Sequence, residues 1–160
     1  MSMPSHTTSY NSFDDFFEKA AGNAPFPFQR SFAEDPVLPQ LVHVPTGLGK
    51  TAMAVLGWLW RRRFYPDETI RKATPRRLVY CLPMRVLVEQ TAENAKKWIN
   101  ALAGAQCIAP SPFPDVQILM GGEDEEDWDI YPERDQIIVG TQDMLLSRAL
   151  NRGYAASRAR

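Results

Sequence analysis

The residues best suited to chemistry in this chain are Gly47, Gly49, Lys50 and Thr51, within the run "LVHVPTGLGKTAMAVL" from Leu41 to Leu56. An apolar stretch breaks at a proline, passes two glycines flanking a leucine, and enters a lysine and a threonine. That order suits a phosphate chain. Backbone N–H groups from about Gly47 to Thr51 would converge at a helix N-terminus, where the helix dipole favours anions. Gly47 and Gly49 let the backbone approach phosphate without a Cβ, with Thr46 and Leu48 beside them. Lys50 would hold the outer phosphates of ATP as a point charge, and the Thr51 hydroxyl would take one site on Mg²⁺. The strict pattern is G-x-x-x-x-G-K-[ST], and Val44 stands where its first glycine belongs. A glycine turn followed by a helix with an exposed lysine is the plainer alternative.

Such a loop must follow a strand and open a helix. Leu41–Val44 reads as a buried strand, which would include His43. Thr51–Phe64 carries Met53, Leu56, Leu59 and Trp60 at helical spacing and ends in arginines that suit the dipole. Upstream, "FDDFFEKAAG" places Phe13, Phe16, Phe17 and Ala20 on one helical face with Gly22 as a stop. "NAPFPFQRSF" reads as an aromatic, proline-punctuated segment. Downstream, "RRLVYCLP" reads as a strand, Arg85–Leu102 as a long helix, "VQILM" and "QIIVG" as strands, and Met144–Leu150 as a helix start. Strands alternating with helices imply an α/β fold, a parallel sheet with helices on both faces.

At 160 residues with 44% hydrophobic and 23% charged side chains, the chain has a globular composition and the size of one domain. A leader and short helix over 1–24 would precede a single domain over 25–160. The formal charge of −1 gives no global pull toward nucleic acid. Arginines and lysines between Arg61 and Arg77, the acidic run Glu123–Asp129 and the arginine-bearing end read as solvated faces. Cys81 and Cys107 lack metal-ligand spacing and suit a reducing compartment, Cys81 as a small core residue. The polar start "MSMPSHTTSYNSF" lacks the apolar core of a signal peptide, and no stretch is apolar enough to span a bilayer, so a cytoplasmic protein is expected.

"VPTGLGKT" resembles the first motif of superfamily 2 helicases, and segments similar to later motifs follow in order from about residue 25 onward. The resemblance implies a P-loop, RecA-like fold. "PFPFQR" resembles the segment in which an aromatic stacks on adenine and a glutamine reads its edge, making Phe28 and Gln29 the base contacts. Glutamine pairs well with adenine N6 and N7. "CLPMRVLVEQT" resembles the loop that touches the nucleic-acid backbone, here Pro83, Met84 and Arg85. "MGGEDEEDW" is similar to the glycine motif, through Gly121 and Gly122, and "VGTQDMLLSRAL" to the next, through Thr141 and Gln142. The implied partner is single-stranded DNA, gripped irrespective of sequence by loops at one sheet edge.

Within the superfamily, "GTQDMLLSRALNRGY" resembles the helicase of type I CRISPR interference. "LGWLWRRRF" and the early "PFPFQ" point to subtype I-G, formerly I-U. The resemblance implies antiviral defence, a Cascade-like effector complex as partner, and a nuclease placed later in the polypeptide. The chain departs from the family where a D-E-x-[HD] motif should end a strand, since in "ILMGGEDEEDW" two glycines separate the strand from the acids. A second RecA-like domain with an arginine finger is also missing. A sheet truncated before its Walker-B strand is therefore expected, as the N-terminal piece of a longer helicase. A stand-alone, non-catalytic nucleotide-binding module and the motor of a restriction-type translocase are the alternatives.

Overall fold

The computed structural model describes residues 10–104, 113–120 and 132–149. They form two compact units, with the polypeptide crossing between them at Pro75 and Arg76, again within a long helix, and a third time at Phe113 and Pro114.

The first unit begins with α1 (Phe13–Ala21), whose N-terminus is capped by the Ser12 hydroxyl accepting from the Asp15 N–H at 3.2 Å. Gly22, left-handed at φ 81°, ends it as the sequence indicates. Phe13, Phe16 and Phe17 are fully buried. The proline-punctuated segment is in fact a helix, α2 (Pro27–Glu34), with Pro27 in its first turn, where a missing N–H costs nothing. Arg30 forks onto the Asp14 carboxylate at 2.8 and 2.7 Å and ties α2 to α1.

The helix after the glycines is α3 (Lys50–Leu59), and its continuation widens into a π-helical turn over Trp60–Phe64. The Tyr65 N–H reaches back to the Trp60 carbonyl at 2.8 Å. This turn presents Trp60 and Phe64 to the rings of Tyr10 and Phe16, closing an aromatic cluster. A short helix not evident from the pattern, α4 (Glu68–Ala73), follows, capped by Asp67.

The basic run is not simply a solvated face. Arg61 is only 4% exposed, and its guanidinium donates to the carbonyls of Ala33, Asp35 and Pro36 at the end of α2. Arg62 donates to the Arg71 carbonyl at 2.9 Å. Unpaired carbonyls at helix ends need donors, and these arginines supply them.

Leu41–Val44 is not a strand. The segment has no strand pairing, Leu41 is 84% exposed and His43 is exposed as well. A strand is completed by its neighbours, and among the described residues none lies alongside this one.

The second unit holds β1 (Arg77–Leu82), β2 (Asp115–Leu119) and β3 (Gln136–Thr141), all parallel, in the order β1-β3-β2. The central β3 is buried along its whole length, as the unbroken apolar "QIIVG" suggests. α5 (Arg85–Gly104) follows β1 and runs on into the first unit, and α6 (Gln142–Ala149) follows β3. Gly140 allows close approach, since a Cβ there would stand 2.8 Å from the Leu119 carbonyl oxygen. Cys81 is exposed rather than a core residue, lining an apolar cavity of about 490 Å³ with Val79, Leu119, Ile138, Leu145 and Leu146.

α2 and α3 pack closely where Gly57 faces Phe32. A Cβ on Gly57 would meet that ring at 2.6 Å. Alanine improves helix propensity by about 1 kcal/mol, whereas overpacking costs about 1–3 kcal/mol. Gly57→Ala is therefore expected to lower stability by about 1 kcal/mol in urea denaturation. A higher midpoint would show that the Phe32 ring swings clear.

Candidate functional site

In the first unit the turn at Thr46–Leu48 and Gly49 lead directly into α3. Gly47 and Gly49 both adopt left-handed backbone, at φ 87° and 80°, a region costly for other residues. A Cβ on Gly47 would meet nothing within 4 Å, so its open side faces no other part of the described chain. Gly49 is the N-cap of α3 and supplies no side chain to the first-turn N–H groups. Uncapped amides at the head of a ten-residue helix form an anion-binding geometry. Lys50 stands exposed at the first position, its ammonium donating to the Val44 carbonyl at 3.0 Å. Thr51 follows, half-buried. The donor set fits a polyphosphate with one metal ion: amides and an ammonium for the anion, one hydroxyl for the cation. Among the described residues no cluster of carboxylates, histidines or cysteines provides a metal cage of its own.

Phe28 and Gln29 lie at the start of α2 in the same unit. Phe28 is half-buried and stacks on Phe26, with ring centroids 5.8 Å apart and planes 11° from parallel. Phe26, which the sequence reading passed over, is 46% exposed. Gln29 is 2% exposed and held at both ends of its carboxamide. Its Oε1 accepts from the Phe26 N–H at 2.8 Å, and its Nε2 donates to the Gly49 carbonyl at 3.0 Å. The sequence-predicted residues Phe28, Gln29, Thr46, Gly47, Leu48, Gly49, Lys50 and Thr51 thus all belong to one unit, and α2 meets the loop through Gln29.

In the second unit the parallel register sets Leu82 beside Thr141. The segments that follow, Pro83–Arg85 and Gln142–Asp143, therefore leave the same sheet edge at the same level. Met84 is 58% exposed, and its carbonyl accepts the Leu87 and Val88 N–H groups that begin α5. Pro83, Arg85 and Gln142 are exposed, while Thr141 is buried. Gly121 and Gly122, which would stand beyond the end of β2, lie outside the described residues, as does the acidic run from Glu123.

Asp143, not singled out by the sequence reading, stands at this same edge, in the first turn of α6. Its carboxyl is held below the ordinary aspartate range first by the Thr141 hydroxyl, then by the N–H groups of Asp143 and Met144 and by the Arg85 charge. The signal was there to read: an acid in the first turn of a helix.

A left-handed glycine loop that heads a helix in the first unit, with no strand before it among the described residues, and parallel strands whose loops share an edge in the second define an α/β protein. The DEAD/DEAH box helicase family matches residues 29–158, and the chain belongs to that family. No curated protein matches it. Among solved structures it is similar to the yeast DEAD-box splicing factor Prp28, with 21% identity and a TM-score of 0.51 over 80% of this chain. The chain spans 29% of that protein's solved chain. The likeness supports the RecA-like fold, with three parallel strands among the described residues. Helicase domains of this family use ATP with Mg²⁺, and they act on nucleic acid. Among the described residues no helix is long and apolar enough to cross a membrane.

A carboxyl whose pKa folding lowers stabilises the fold above its unfolded value and loses that contribution as pH falls through the lowered one. Urea denaturation between neutral and acid pH is expected to show this loss in the native chain and a shallower acid limb in Asp143→Asn. Parallel pH profiles would mean that Asp143 is unperturbed.

Proposed function

We propose that this chain is the ATP-binding, first-domain portion of an ATP-dependent helicase that moves on single-stranded nucleic acid. The observation that carries this reading is the head of α3, where left-handed Gly47 and Gly49 precede uncapped amides and Lys50. In it, Lys50 and the amides from Gly47 to Thr51 hold the outer phosphates, and the Thr51 hydroxyl holds Mg²⁺. Bound Mg²⁺ would neutralise charge on the phosphates. Phe28 lies against the base. Gln29 has two amide hydrogens and two lone pairs on its oxygen, so reading the base edge is chemically compatible with its two internal bonds.

At the sheet edge of the second unit, Pro83, Met84, Arg85, Thr141 and Gln142 form the proposed strand interface; Gly121 and Gly122, outside the described residues, are assigned to it from the motif alone. The finer proposal rests on the motif around Thr141. It makes the strand DNA and the motor a cytoplasmic component of CRISPR interference, working beside a Cascade-like effector. Hydrolysis and translocation belong to a longer protein that adds a strand-end carboxylate pair and an arginine finger, worth about 10³–10⁵ in rate in related phosphoryl-transfer enzymes.

Titration calorimetry with Mg-ATP is expected to give weak binding that Lys50→Ala abolishes, and equal affinity in the variant would reject the phosphate loop. Arg85→Ala should weaken single-stranded DNA binding alike for all sequences, with affinity falling steeply as salt rises. Preference for one duplex sequence would reject a backbone grip, and preference for RNA over DNA would turn the reading to an RNA helicase. Residues 1–160 alone should release no phosphate above background. Robust turnover would assign the metal chemistry to the acidic run after Gly122.

A further inference from the structure

In the second unit α6 does not close down on the whole sheet. Gln142, Leu145 and Leu146 lie on one stripe of the helix and face Val79 and Cys81 of β1 and Ile138 of β3, which share one side of the sheet. Between the two walls lies the cavity of about 490 Å³. Over β3 the packing is tight, since a Cβ on Gly140 would stand 3.0 Å from the Leu145 side chain. Over β1 it is open, with Val79 54% and Leu146 50% exposed and Cys81 exposed beside them. Contact at Gly140 stops the helix from settling further. Protein interiors hold few voids larger than a water molecule, so a slot of this size is a built feature of the unit.

The slot begins at the sheet edge. Cys81 stands one residue before Leu82 and Gln142 one residue after Thr141, and Leu82 and Thr141 are paired in register. The same edge carries Pro83, Met84 and Arg85, the proposed strand interface. No lining residue is charged: the walls are aliphatic apart from the Cys81 thiol and the Gln142 carboxamide. Such a lining would strip a phosphate of water and give it no partner. A neutral, flat ring suits it, with a sheet on one side and a helix on the other, in a space within the range of about 300–1,000 Å³ usual for small-ligand sites. A nucleobase has such a face. Its polar edge can be met by the Gln142 carboxamide, which offers both donors and an acceptor.

We propose that the slot between α6 and the sheet is a base pocket: one nucleobase of a single strand held at this edge turns out of the strand and inserts between Val79, Cys81 and Ile138 on one wall and Leu145 and Leu146 on the other, with Gln142 at its polar edge. The proposal rests on the strand-interface reading and extends it, because a grip on phosphates alone does not distinguish a strand with bases from one without them. A base inside the slot leaves its phosphate outside, at the edge that carries Arg85. The pocket adds affinity without adding sequence preference, since every base has an apolar face and one carboxamide turns to suit each polar edge.

The experiment compares two labelled single strands of equal length, one of thymidine nucleotides and one of abasic nucleotides, by fluorescence anisotropy. It uses the native chain and Cys81→Trp, whose indole fills the slot. The native chain is expected to bind the thymidine strand about fivefold or more tightly than the abasic one, and Cys81→Trp to bring the two together by weakening the first. Equal affinity for both strands in the native chain overturns the pocket and leaves the strand interface standing. A preference that survives in Cys81→Trp puts the bases elsewhere and overturns the pocket as well. Absence of binding to either strand overturns the strand interface, and this inference with it. A second measurement needs no variant. Alkylation of the Cys81 thiol by iodoacetamide, followed by mass mapping of its peptide, is expected to slow with the thymidine strand at saturation and not with the abasic strand. Equal rates with both overturn the pocket even if Cys81→Trp does not fold.

Discussion

The first unit depends on how α2 is fastened along α3. Three contacts of different kinds do it: the Gln29 carboxamide on the Gly49 carbonyl, the Phe32 ring in the space left by Gly57, and the Arg61 guanidinium on the carbonyls that end α2. Each falls at a different level of α3 and its continuation, so neither sliding nor rolling of α2 is compatible with all three. The fastening also reaches the glycine turn, because one of its contacts is with Gly49, the residue that caps α3. The π-helical turn belongs to the same constraint. It brings Arg61 under α2 while keeping Trp60 and Phe64 in the aromatic cluster with α1.

The second unit is governed by register. Parallel pairing of β1 with β3 from Arg77↔Gln136 to Leu82↔Thr141 brings both strand ends to one level. Residues separated by more than fifty positions in the chain, Arg85 and Asp143, therefore come close enough for the arginine to lower the carboxyl's pKa. The Thr141 hydroxyl contributes more to that lowering than Arg85 does. This strand-end edge thus carries its own anion, with an arginine and a hydroxyl on the same edge favouring its charged form. The field of Arg85 at this edge is partly offset by that carboxylate.

Charge in this chain is used internally to a degree that composition conceals. The arginines between Arg61 and Arg71 are mostly donors to main-chain carbonyls, at the ends of α2 and α4 and in the turn between the π-helical turn and α4. A guanidinium has five donors in a rigid fork and serves several carbonyls at once. Counted as a basic patch, these residues suggest a partner. Located in three dimensions, Arg61, Arg62 and Arg71 each direct guanidinium donors at carbonyls of the fold itself.

The sequence by itself determined whatever depends on near neighbours in the chain. The aromatic spacing of α1, the glycine that stops it, the apolar runs of β1, β2 and β3, and the glycine–lysine–threonine order at the head of α3 are local patterns. Their physics is set by periodicity and backbone freedom over a few residues. The family motifs extended that reading, since they are short and contiguous too. Only tertiary structure decided the rest. Leu41–Val44 has the composition of a buried strand but is unpaired, with Leu41 and His43 exposed and Val42 and Val44 half-buried, because a strand exists only with a partner beside it. Cys81 sits in an apolar run yet is exposed, since alternate side chains of β1 face opposite sides of the sheet. Gln29 could be named from a motif, but its hold on Gly49, twenty positions away, could not. A hydrogen bond between distant residues follows from where helices pack, and packing depends on side chains that no local window contains.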